Sequence, residues 1–188
     1  MKNKTLKQTI LTFSIFLLSL NLFAQERIVT TDTHIRFFSS TPAEDIESNN
    51  YASTGTINPQ TGEVAFSVPM QSFEFEKSLM QRHFNQRRFL HTSEHPIAQL
   101  VGKIENFESI DLSKNDTYNV IVSGEMTIKG ETNSFKEPGT LKVENGKIIA
   151  NSKFFITLAD YDITFSRGRP ASNIADKVEV TVLAEFEK

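Results

Sequence analysis

Hydrophobic and polar residues alternate with a period of two along much of this chain, the signature of half-buried strands. Val64, Phe66 and Val68 share one face of Glu63–Pro69, with Glu63, Ala65 and Ser67 on the other. Tyr118, Val120, Val122, Met126 and Ile128 share a face in Tyr118–Lys129, with Gly124 in register. Phe154, Ile156 and Leu158 do so at the end of Lys147–Leu158, and Val178, Val180, Val182, Ala184 and Phe186 in the last strand. Ile28–Phe38, Tyr51–Asn58, Ile97–Glu108 and Glu131–Val143 complete a set of eight expected strands. Asn58–Gly62, Gly130 and the pair Asn145-Gly146 are turn signals between them. Eight antiparallel strands in one small domain form a sandwich or close into a barrel, and closure removes the sheet edges.

Phe73–Ile104, FEFEKSLMQRHFNQRRFLHTSEHPIAQLVGKI, interrupts the alternation. Ser78 and Gln81 fit a capping box at the start of a helix. Phe75, Leu79, Met80 and Phe84 are expected on one face, with Gln81, Arg82, Asn85 and Gln86 mainly on the other. The helix has room for barely two turns before Phe89 and the turn at Glu94-His95-Pro96. So short a helix is unstable alone and must lie against the sheet.

The first residues change the picture of where the protein works. Lys2, Lys4 and Lys7 precede an apolar run from Ile10 to Phe23, and Ala24 offers a small residue before Gln25. This is the pattern of a secretory signal peptide over residues 1–24, and the run is shorter than the roughly 18–20 residues a spanning helix needs. A periplasmic or secreted domain over residues 25–188 is therefore expected. Losing the three leader lysines takes the net charge from −3 to −6, which argues against nucleic acid as a partner. The absence of cysteine excludes disulfides, lipoprotein anchoring, thiol catalysis and Cys-ligated metal.

Three blocks in this order resemble the YceI-like family of exported bacterial proteins: Phe73–Ile104, then Gly124–Thr132 (GEMTIKGET), then Ile174–Val180 (IADKVEV). The resemblance implies an all-β, eight-stranded antiparallel lipocalin-like barrel, partly covered by a short helix segment. It also implies an enclosed long apolar molecule such as a polyisoprenoid or isoprenoid quinone. Two departures bear on the ligand. Gln86-Arg87-Arg88-Phe89 stands where an acid and a tyrosine are commoner in the family, and Leu100 where an aromatic is frequent.

The apolar faces fit either a packed core or a binding tunnel, and the resemblance favours the tunnel. Its expected lining is Phe66, Val68, Phe75, Leu79, Met80, Phe84, Phe89, Val120, Val122, Met126, Phe154, Ile156 and Leu158. Arg82, His83, Arg87 and Arg88 are expected at the rim, as a patch for a phosphate, carbonyl or anionic lipid head group or as a solvated face. Transient contact with a membrane surface is compatible with them. His83, His91, Glu94 and His95 lie close in sequence, but Pro96 argues against a helix that would align His91 with His95. They are read as rim histidines, with no metal, no catalytic residue and no cofactor expected. Asp160 and Asp162 flank Tyr161 without a neighbouring nucleophile and are read as structural. The alternatives are a filled barrel acting through its surface and a metal-dependent rim enzyme. Monomer and homodimer both remain open.

Overall fold

In a computed structural model, residues 27–163 and 174–187 are described; the expected leader lies outside them. The strands are β1 (Ile28–Thr30), β2 (Thr33–Ser40), β3 (Asp45–Asn50), β4 (Thr54–Ile57), β5 (Glu63–Pro69) and β6 (Glu74–Phe75). After helix α1 (Ser78–Asn85) come β7 (Ile97–Ile104), β8 (Asp116–Ile128), β9 (Glu131–Glu144), β10 (Lys147–Thr157) and β11 (Lys177–Glu187). All pair antiparallel in one sheet, in the order β1-β4-β5-β7-β8-β9-β10-β11-β2-β3-β6. The two ends of this order are joined by the chain itself. β1 runs on into β2, β4 follows β3, and β6 follows β5, so the sheet curls round into a barrel.

There are eleven strands rather than the expected eight: Ile28–Phe38 is broken into β1 and β2, while β3 and β6 lie outside every expected strand, parted from β4 and β5 by short breaks. The breaks have local causes, since side chains that bond the backbone compete with the ladder. At the first, the Thr30 hydroxyl accepts from the Asp32 amide and donates to the Glu185 carbonyl. At the second, the fully buried Asn50 accepts from the Ala52 amide and the Ser53 hydroxyl, and donates to the Pro69 carbonyl. At the third, Pro69 ends β5 and the chain makes a 3₁₀ turn over Met70–Ser72. The Met70 amide there donates to the Pro96 carbonyl, outside the ladder. The strand expected from Ile97 to Glu108 stops at Ile104, and Asn106 enters a second 3₁₀ turn with φ at +53°.

Register aligns the inward side chains in rows. Phe66 pairs with Leu100, and Leu100 with Met126, across β5, β7 and β8. Phe154 pairs with Val180, and Val180 with Phe37, across β10, β11 and β2. The outer face carries charge instead. Glu47, Arg36, Glu179 and Lys153 form a chain of ion pairs from β3 to β10, with contacts of 2.6, 3.6 and 2.8 Å.

One wall is not fully laced. β8 and β9 pair along thirteen positions, but β9 and β10 pair only from Lys147/Glu144 to Ser152/Gly139. There the Ser152 hydroxyl donates to the Pro138 carbonyl. Beyond that point the strands part, and Phe135 meets Phe154 edge-on at 5.0 Å across the gap.

Candidate functional site: an apolar cavity under a helical lid

The barrel is packed at one end and open within. At the packed end Ile57, Ile104, Leu141, Ile148, Ala184 and Phe186 are almost fully buried. Phe107, carried in from the second 3₁₀ turn, joins them. Its ring lies so close over Gly62 that a Cβ there would come within 2.4 Å of it, and Gly62 has φ at +73°. Only glycine fits this position.

At the other end α1 lies across the opening. The expected capping box does not form: Ser78 is the first helical residue and Lys77 the N-cap, without a side-chain bond. Gln81 accepts from the Phe75 amide instead, tying the helix to β6. Phe84 is buried and central to five phenylalanines, with ring centroids 5.7, 5.5, 5.0 and 6.1 Å from Phe37, Phe73, Phe75 and Phe89. Tilted and offset aromatic pairs of this kind add about 0.5–1.5 kcal/mol each beyond area burial.

Between the phenylalanine cluster and the packed end is a cavity of about 550 Å³. Twelve of the thirteen expected lining residues face it: Phe66, Val68, Phe75, Met80, Phe84, Phe89, Val120, Val122, Met126, Phe154, Ile156 and Leu158. Leu79 does not. It is 52 % exposed, because a two-turn helix lying flat can direct only one narrow stripe inward, and Met80 and Phe84 occupy it. Of the expected rim, His83 and Arg88 reach the cavity, joined by Gln86. Arg82 and Arg87 are exposed and lie off it. Among the described residues none of the three arginines pairs with a carboxylate. A second polar stretch of the lining, Thr140, Asn151 and Ser152, lies where β9 and β10 part.

Sequence reasoning missed several lining residues. Val178, Val180 and Val182 belong to an alternation that was plain in the last strand. Ile35 and Phe37 lie in a run of β-branched and aromatic residues where no face could be chosen. Phe135 is a lone aromatic in a polar stretch, and only the register shows it pointing inward.

The acidic pair has a structural place. Asn133 Nδ2 donates to the Asp160 carbonyl and Lys129 Nζ to that of Asp162, so the turn after β10 is tied to β8 and β9. Tyr161 between them is buried, which pushes its phenol above the usual value, with the Asp160 charge adding to the shift.

The histidines take two separate places. His83 stays on α1 at the cavity edge, whereas His91, Glu94 and His95 come together on the turn before β7.

An antiparallel barrel packed at one end, apolar within and covered at the other by a short helix is lipocalin-like in class. The family model of the YceI-like domain matches residues 24–186, and the chain belongs to that family. Solved structures agree on the fold. BcnA of Burkholderia cenocepacia superposes with a TM-score of 0.70 at 15 % identity, covering 84 % of this chain and 98 % of its own. A polyisoprenoid-binding domain from Saccharophagus degradans, implicated in plant cell wall breakdown, gives 0.71 at 14 %, covering 86 % and 97 %. The YceI protein of Campylobacter jejuni gives 0.56 at 18 %, covering 70 % and 78 %. No curated protein sequence matches the chain.

Proposed function

We propose that this chain is an exported binding protein that holds one long apolar lipid, of the polyisoprenoid or isoprenoid-quinone kind, inside its barrel. The observation that carries this reading is the cavity itself. Its volume of about 550 Å³ lies within the range typical of small-molecule sites, roughly 300–1,000 Å³. Its wall is built mostly of aliphatic and aromatic side chains from the strands and the lid. A chain-like hydrocarbon gains roughly 25 cal/mol for each Å² of apolar surface removed from water and needs few polar contacts. The polyisoprenoid-binding domain of Saccharophagus degradans shares the fold, which supports the isoprenoid class. The basic, then apolar, leader supports export.

His83, Gln86 and Arg88 offer donors at the lid edge, where a phosphate or carbonyl head group would be met. A packed interior, as a filled barrel acting through its surface requires, is hard to reconcile with this volume. The carbonyls beside the acidic pair are engaged in tying down a turn, which gives an enzyme reading of those residues little support.

Native mass spectrometry of protein purified without detergent tests the proposal, followed by uptake of a polyprenol and a ubiquinone by delipidated protein. One apolar molecule per chain is expected. Val122→Phe, which fills the middle of the cavity from β8, should abolish uptake while leaving the far-ultraviolet circular dichroism unchanged. Arg88→Ala should retain uptake and alter the preference between phosphate-bearing and carbonyl-bearing lipids. Neither co-purified lipid nor uptake by the parent protein, or undiminished uptake by Val122→Phe, overturns the reading.

A further inference from the structure

The turn from His91 to His95 lies between the lid and β7, on residues the lipid reading leaves unused. One donor atom from each of His91, Glu94 and His95 lies within 4.8 Å of the other two, and His91 Nδ1 is already 2.9 Å from a Glu94 carboxylate oxygen. Donors about 2.1 Å from a tetrahedral ion lie roughly 3.4 Å apart, so a small side-chain rotation closes this set. Two imidazoles and one carboxylate are a zinc donor set that leaves a fourth position for water.

The backbone beneath the three side chains is held on both sides. The His91 carbonyl accepts from the amides of Glu94 and His95, each at 2.9 Å, and the His91 amide donates to the Gln86 carbonyl at 3.0 Å. Thr92 is almost fully buried, and its hydroxyl donates to Asn85 Oδ1 of α1 at 2.8 Å. His91 itself has φ at +47°, a sparsely populated region for a non-glycine residue. That conformation turns the chain sharply enough to put residues 91 and 94 side by side. On the far side the His95 ring faces Gly130 at the β8–β9 turn, where a Cβ would approach it to 3.2 Å. The donors are therefore carried on a turn fixed to both the lid and the barrel.

We infer that His91, Glu94 and His95 form a binding site for a divalent transition metal of the zinc class. A bound ion would clamp the segment that follows Phe89 and Leu90, two residues of the cavity lining.

Calorimetric titration of zinc into chelator-treated full chain tests the site, with magnesium as the control ion. One zinc per chain and a raised thermal midpoint are expected, with no response to magnesium. Glu94→Gln and His95→Ala should each weaken zinc binding by about tenfold or more. His91→Asn should do the same, since asparagine tolerates the left-handed backbone. His83→Ala should leave the isotherm unchanged. If a single variant loses its fold by circular dichroism, His95→Gln supplies the same comparison. Absence of saturable zinc uptake by the parent chain overturns the inference. So does an isotherm that survives in the folded His91→Asn/His95→Gln double variant. Either result leaves the lipid reading untouched, because that reading rests on other residues and another measurement.

Discussion

Phe84 concentrates much of what holds the lid down. Four aromatic rings surround it, two from the segment just before α1, one just after it and one from β2. Truncation would leave a void that none of these rings can fill without losing its own contacts. Phe84→Ala is therefore expected to destabilise the protein by about 3–5 kcal/mol, the usual range for a buried phenylalanine, as measured by urea denaturation. On the outer wall the Arg36–Glu47 contact works differently. Its 2.6 Å hydrogen bond holds the Glu47 carboxyl below its ordinary value. A depressed carboxyl contributes stability that is present above the ordinary glutamate value and lost as pH falls through the folded one. The parent should therefore lose its advantage over Glu47→Gln as pH falls below the ordinary glutamate value, a convergence visible in the thermal midpoints of the two proteins. Because the pair is largely exposed, salt should shrink the same difference.

At the scale of elements, the long strands were legible because one face of each is apolar and the other wet. β5, β8, β10 and β11 announce themselves in that way. β3 and β6 were not legible: β3 is nearly all polar, and its buried Ser48 and Asn50 are satisfied by distant backbone carbonyls. Nothing local in Asp45–Asn50 signals such partners. The helix was readable from its apolar stripe, but its orientation was not. Leu79 and Met80 are adjacent in sequence, and only the seating of α1 on the barrel decides which of them points inward. The meeting of His91, Glu94 and His95 was missed for a similar reason, since Pro96 excludes a helix there and the tight non-helical alternative leaves no residue pattern. Gly124, by contrast, was placed correctly in a strand while its purpose stayed hidden. It faces Gly102 on β7, and a Cβ on it would come within 2.2 Å of the Val101 carbonyl oxygen. Gly124→Ala should force β7 and β8 apart and cost about 1–3 kcal/mol, read as a lower urea midpoint with the strand content retained.

Considered as a whole molecule, the barrel is closed by covalent continuity between its interrupted strands, yet β9 and β10 part below Gly139 and Ser152. The gap leaves two short strand edges inside the barrel wall. Such edges can pair with a strand of another molecule, which is the route to sheet-mediated aggregation. The residues along the gap are those that discourage it. Pro138 lacks an amide hydrogen, and Lys136 and Lys153 project outward into ion pairs with Glu105 and Glu179. Replacing both lysines with valine should leave the lid and cavity intact but shift the protein to larger species in concentrated solution, as followed by light scattering after size exclusion. An elution profile coinciding with the parent's would mean that the gap is sealed well enough without them. The seam would then owe its colloidal safety to Pro138 and the crossed rings of Phe135 and Phe154 alone.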